Sequence, residues 1–218
     1  AANVTIVTGD TKVVERGKGD GVFINTTGIG VIPDGIQLSG DRARPGDLIL
    51  LSGSIGDHGV AVMSQRTGLE FETTLQSDSA ALHDLVAAMV AATPDLRCLR
   101  DPTRGGWATT LNEIAIQSDV GMVLREAAIP IKPGVAAACE LLGLDPLYVA
   151  NEGKLIAICP PDEAERLLAA MHAHPLGAMA AIIGTVREDR HRFVTMETTF
   201  GGNRLVDWLS GEQLPRIC

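Results

Sequence analysis

The chain has 218 residues, 45% of them hydrophobic, enough to bury the core of one large domain or two small ones. Only 3% are aromatic, so that core is aliphatic, and the net charge of −9 argues against broad binding to nucleic acid or anionic membranes. No apolar run approaches the roughly 18 residues that a membrane span requires.

The start, Ala1-Ala2-Asn3, lacks a Met and runs directly into a strand-like Val4–Thr8. That opening predicts a segment cut from a longer protein. Val22–Thr27 is a second β-rich run. Residues 28–44 carry Gly28, Gly30, Pro33, Gly35 and Gly40 and read as loop. Pro45-Gly46-Asp47 reads as a domain boundary, followed by a short buried strand at Leu48–Leu51.

Gly56–Thr67 reads as a helix stopped by Gly68. Leu82, Leu85, Val86, Met89 and Val90 follow helical spacing, and Leu111, Ile114 and Ala115 mark a helix that starts near Gly106. Met122–Leu124 reads as a strand. Pro133 suits the first turn of a helix that ends at Gly143. Lys154–Cys159 is an apolar strand, Pro161-Asp162 opens a further helix, and Ile182–Val186 and Phe193–Met196 close the pattern as strands. Strands and helices alternate irregularly, which predicts an α+β fold, a mixed sheet with helices on one face.

The cysteines at 98, 139, 159 and 218 form no CxxC pair and have no nearby His, so they fit neither a zinc site nor a disulfide framework. The first three lie in or beside apolar segments and read as small core residues. Cytoplasm is then the expected compartment. Cys218 differs, because it is the last residue. Gly211 and Pro215 precede it as pivot and stiffener, and about ten extended residues reach roughly 30 Å. It is either an incidental thiol on a frayed end or a carrier thiol with reach.

Three polar clusters can carry chemistry. In Gly9-Asp10-Thr11-Lys12, Asp10 can hold Mg²⁺ and Lys12 can neutralise a phosphate, or the cluster is a solvated turn. In Asp101-Pro102-Thr103-Arg104-Gly105-Gly106, two glycines at a helix start let backbone N–H groups approach an anion. Asp101 would be a metal ligand there and Arg104 a phosphate clamp, or else Asp101 or Thr103 simply caps the helix. In Asn151-Glu152-Gly153-Lys154, Glu152 is either a partly desolvated general base or a member of a plain β-turn. Ser52–Gly59 reads as a helix start, with His58 as a polar loop residue.

With the Asn25–Gly30 run and the Gly201-Gly202…Gln213-Leu214-Pro215-Arg216-Ile217-Cys218 end, these clusters resemble the HypE family of hydrogenase-maturation proteins along nearly the whole chain. These are carbamoyl dehydratases of the aminoimidazole-ribonucleotide synthetase-like superfamily. The resemblance implies the C-terminal part of a two-domain α+β fold with mixed sheets covered by helices. Residues 1–44 would be the remnant of an N-terminal ATP-binding domain, 45–206 the C-terminal domain and 207–218 a mobile tail. The implied activity is ATP-dependent dehydration of a carbamoyl group on Cys218 to a thiocyanate, supplying cyanide for the iron of nickel–iron hydrogenase. ATP and Mg²⁺ are the implied cofactors. Asp10 and Asp101 would face the metal, with Lys12, Thr11, Thr103 and Arg104 at the nucleotide and Glu152 as base. The carbamoyltransferase HypF and an iron-carrying HypC–HypD complex are the implied partners. A homodimer is expected of the full-length form, and an inactive fragment of this part alone. The same residues also leave room for a selenophosphate synthetase-like or thiamine-phosphate kinase-like enzyme, or for a non-catalytic scaffold.

Overall fold

The computed structural model describes residues 2–19, 21–67 and 75–209. Along the chain these form β1 (Leu48–Leu51), α1 (Asp57–Thr67), α2 (His83–Ala92), β2 (Cys98–Arg100), α3 (Gly106–Ser118), β3 (Gly121–Arg125) and α4 (Pro133–Leu142). There follow β4 (Ile156–Cys159), α5 (Pro161–His172), β5 (Ala181–Arg187), β6 (Val194–Glu197) and β7 (Asn203–Leu205). The seven strands form one sheet in the order β2-β4-β1-β5-β3-β6-β7. Its pairs are antiparallel except for β3 with β6, which makes the sheet mixed.

The helices do not keep to one face, and the strand sequences explain why. In β1, Ile49 and Leu51 point to one side, where they pack with Trp107 and Leu111 of α3. Leu50 points to the other, where it meets Leu85 and Met89 of α2 and Leu167 and Met171 of α5. In β4, Ile156 and Ile158 divide from Ala157 and Cys159 in the same way. A strand covered on both faces reads as a continuous apolar run rather than an alternating one. Leu48–Leu51 and Ile156–Cys159 are such runs. A third cluster joins Val60 of α1 to Val135, Ala138 and Cys139 of α4.

The helix ends follow local chemistry. Pro133 and Pro161 open α4 and α5, where a missing N–H costs nothing. Gly143 closes α4 in the left-handed conformation, at φ +67°.

The strands expected at 4–8 and 22–27 are absent. The described residues before Leu48 form no strand. Val4, Ile6, Val7, Val22, Phe23 and Ile24 are all more than 70% exposed. A strand needs a neighbour for its N–H and C=O groups and a surface for its apolar face. Residues 2–19 and 21–35 find neither within the described chain.

Residues 38–47, by contrast, are tied to the sheet. Ser118 Oγ accepts from the Ala43 N–H at 3.1 Å and donates to the Gly40 carbonyl at 2.7 Å. Asp47 accepts from the Arg44 N–H at 2.8 Å, and Arg97 Nε lies 3.3 Å from the same carboxylate oxygen. Burial raises the Asp47 pKa, with Arg44 and Arg97 acting in opposition.

Cys98, Cys139 and Cys159 are buried free thiols, as expected. Burial pushes the first two up to about 11 and Cys159 to about 12. Cys218 lies outside the described residues. Among the described residues, no helix is long and apolar enough to cross a membrane.

Candidate active site

The turn into α3 is built from two consecutive glycines with positive φ, Gly105 at +70° and Gly106 at +59°. Gly106 is also crowded. A Cβ there would lie 2.5 Å from the Leu147 carbonyl oxygen and 2.7 Å from that of Val149. Only glycine meets both demands. Gly105 occupies the N-cap position, and no side chain caps the helix. Asp101 and Thr103 therefore do not cap α3.

Asp101, Thr103 and Arg104 instead border a cleft of about 430 Å³, together with Arg100, Glu113 and Glu152. Two of the three sequence clusters thus meet. Arg100 Nη2 is 3.1 Å from Glu113 Oε2, and its Nε is 3.5 Å from Asp101 Oδ1. Cationic and anionic groups face the same space, as binding and turning over a charged substrate requires.

Glu152 reaches the cleft because its neighbours are fastened. Asn151 is buried. Its Oδ1 accepts from the Gly56 N–H at 2.8 Å, and its Nδ2 donates to the carbonyls of Val149 at 2.9 Å and Pro102 at 3.3 Å. Within the turn, Asn151 and Gly153 are buried, Lys154 is half-buried and Glu152 is exposed.

Asp10, Thr11 and Lys12 are not at the cleft lining. They lie on an exposed segment, where Asp10 Oδ1 accepts from the Thr11 N–H at 2.8 Å. His58 is not a loop residue. It sits in the first turn of α1, buried, with its Nδ1 2.8 Å from Ser77 Oγ. The expected helix start is real: Ser54 Oγ donates to Asp57 Oδ2 at 2.5 Å, and Asp57 Oδ1 pairs with Lys132 at 2.9 Å. Among the described residues, no group of three or more His, Cys, Asp or Glu could hold a metal.

Sequence reasoning missed Glu113 and Arg100. Gly106, Thr110 and Glu113 fall at i, i+4 and i+7, one stripe of α3, and that spacing was the available signal.

Residues 44–197 match the family described as AIR synthase related protein, C-terminal domain. The chain belongs to this family. Among curated members, the Carbamoyl dehydratase HypE of Azotobacter vinelandii is 73% identical over 217 residues, which cover 100% of this chain and 64% of that relative. The chain thus spans less than two thirds of that relative's length. Two solved HypE structures are similar in fold. One, in complex with ATP, is 53% identical with a TM-score of 0.79 and covers 83% of this chain and 55% of the other. The second is a HypE–HypF complex, 43% identical with a TM-score of 0.78, covering 81% and 57%.

Proposed function

We propose that this chain provides the C-terminal domain and carrier thiol of an ATP-dependent carbamoyl dehydratase in hydrogenase maturation. The reaction converts the S-bound carboxamide of Cys218, with ATP, to a thiocyanate, ADP and phosphate, and the cyanide then passes to the iron of a nickel–iron hydrogenase. The observation that carries this reading is the convergence of Glu152 with Asp101, Thr103 and Arg104 on one cleft. High identity to relatives named carbamoyl dehydratase supports it, as do a relative solved with ATP and another solved with HypF.

Each residue has a role in that chemistry. The sulfur of Cys218 holds the carbamoyl group covalently, so it is not lost to water. ATP supplies the phosphoryl group that turns the poor oxygen leaving group into a good one. Glu152 removes the nitrogen protons as the carbon–nitrogen triple bond forms. Arg104 and Thr103 bind phosphate at the start of α3. Mg²⁺ is commonly held by one or two carboxylates plus phosphate oxygens. The carboxylate of Asp101 would take one such position, and Asp10, Thr11 and Lys12, which lie off this cleft here, would complete the metal and nucleotide site in the full-length protein.

That assignment places residues 1–44 in an N-terminal ATP-binding domain, 45–206 in the C-terminal domain, and 207–218 in a tail. The exposed Val4–Val7 and Val22–Ile24 would be covered by that first domain in a homodimer, and this part alone would be inactive. HypF would load Cys218, and a HypC–HypD complex would receive the cyanide. Three reduced core thiols suit the cytoplasm.

Intact mass of the full-length protein tests the reading, after incubation with carbamoyltransferase, carbamoyl phosphate and ATP. A gain of about 43 Da on Cys218 that becomes about 25 Da with ATP is the expected result for dehydration of an S-bound carboxamide. An unmodified Cys218 beside an active transferase would overturn it.

A further inference from the structure

Glu152 needs a fixed position to act as a base, and a turn does not fix itself. Its backbone N–H donates to Asp78 Oδ1 at 3.0 Å, across 74 residues of sequence. The other carboxylate oxygen of Asp78 lies 3.1 Å from Lys154 Nζ. The Asp78 side chain is 3% exposed and that of Lys154 13%. One carboxylate therefore grips both ends of the Glu152-Gly153-Lys154 segment.

The residue between them completes the grip. A Cβ on Gly153 would run into the carbonyl oxygen of Asp78, so only glycine lets the two loops close. The methylenes of Lys154 lie over Gly53, 3.2 Å from where its Cβ would stand. Neighbouring Ser52 exchanges bonds with Leu155, its N–H donating to the Leu155 carbonyl at 3.0 Å and its Oγ accepting at 2.9 Å. Asp78 does not line the cleft. Its charge is spent on the turn.

We infer that Asp78, with Lys154 as counter-ion, is a positioning residue that aims Glu152 into the cleft. The inference rests on the reading of Glu152 as the base. It gives the buried carboxylate a role beside the exposed one: a charge-assisted bond to a backbone N–H is stronger than a neutral one. It also makes residues 75–82, ahead of α2, support the reaction without giving them a group that touches substrate.

The test uses the full-length protein with Cys218 carbamoylated in advance. Single-turnover conversion on adding ATP is followed by intact mass, and ATP affinity is measured separately. Asp78→Ala is expected to slow conversion by roughly 10–100-fold, the scale of a small misplacement of a reacting group, with ATP affinity unchanged. Asp78→Asn keeps an oxygen that accepts the Glu152 N–H but turns its amide nitrogen toward Lys154 Nζ, so it should recover only part of the loss. In a Glu152→Ala background, Asp78→Ala should have no further effect. Native-state hydrogen exchange reads the grip itself, and the amides of 151–154 should exchange faster in Asp78→Ala. Should that variant fail to fold, Lys154→Met should show the same faster exchange at smaller amplitude.

Unchanged exchange at 151–154, or an Asp78→Ala loss that persists undiminished in the Glu152→Ala background, overturns the inference. Full-speed conversion by Glu152→Ala removes the base reading and the catalytic half of this inference with it. The exchange measurement then still decides whether Asp78 fixes the turn.

Discussion

Asn151 holds the N–H of Gly56 at 2.8 Å, joining the entry to α1 to a turn 95 residues later in sequence. The same side chain donates to Pro102 and Val149. A single buried amide thus binds the entry to α1 to two segments that line the cleft, the 101–104 loop and its own turn. Asn151→Ala removes all three bonds and strands the buried Gly56 N–H and the Val149 carbonyl, while the Pro102 carbonyl still accepts from the Asn151 backbone N–H at 3.2 Å. At about 1–3 kcal/mol for each buried group left without a partner, we expect a loss of several kcal/mol, measured as a lower denaturation midpoint at unchanged m-value. Asn151→Asp keeps the acceptor for Gly56 but sets a buried carboxylate oxygen against the Val149 and Pro102 carbonyls, and should be at least as destabilising as alanine. An alanine variant as stable as the wild type would mean that water replaces the amide.

Two glycines with nearly the same φ separate strain from crowding. Gly143 ends α4 at +67°, and a Cβ there would meet nothing within 4 Å, whereas one on Gly106 at +59° would face backbone oxygens at 2.5–2.7 Å. Gly143→Ala carries the left-handed penalty alone, about 1–2 kcal/mol. Gly106→Ala adds a collision with the 147–149 backbone, which cannot turn aside as a side chain can. It should cost clearly more and misplace Arg104. Equal losses in thermal denaturation would show that the Leu147–Val149 segment yields freely.

Much of this fold is legible in the sequence because apolar spacing records burial. The helices around Leu85 and Met89, and around Leu111 and Ile114, follow from it directly. The exposed runs Val4–Thr8 and Val22–Thr27 do not, since their strand character depends on a partner that spacing cannot supply. β7 escaped for a related reason: all three of its residues are exposed, so no alternation marks them. The two-sided cover of the sheet was hidden in the continuous apolar runs of β1 and β4. At the site, Asp101, Arg104 and Glu152 stood out beside glycines. Asp78 and Glu113 have no such punctuation and acquire meaning only through contacts distant in sequence.

The three core thiols predict an alkaline limb of instability. Burial raises their pKa values from 9.0 to about 11 for Cys98 and Cys139 and about 12 for Cys159. Below pH 9 they are neutral in folded and unfolded chains alike, and their contribution is fully present. As pH rises above 9 the unfolded chain releases protons that the folded chain still holds, so stability falls. Each thiol adds a slope of up to about 1.4 kcal/mol per pH unit, and the fall continues until the folded pKa is passed. Urea denaturation between pH 8 and 11 should show it, and Cys159→Ala should flatten the limb despite a lower starting stability. An unchanged slope in that variant would assign the limb to other groups, such as Tyr148, whose pKa burial also raises.

Glu152→Gln separates geometry from proton transfer. The amide keeps the size and the exposed position of the carboxylate, and the Asn151, Gly153 and Lys154 contacts that hold the turn do not involve the Glu152 side chain. Folding stability and nucleotide binding should therefore stay at wild-type levels. Conversion of the carbamoyl group on Cys218 should fall by about 10²–10⁴-fold, the range for loss of a positioned general base. Cys218→Ala should abolish product while leaving the fold intact, because the three core clusters of the described residues are formed by other side chains. Arg104→Ala should instead weaken nucleotide binding. If Glu152→Gln lost nucleotide affinity but kept its single-turnover rate at saturation, the carboxylate would be a binding group, and the proton would have to leave through another residue of the cleft. Glu113 is then the group to replace next, since it shares the cavity and is held by Arg100 at 3.1 Å.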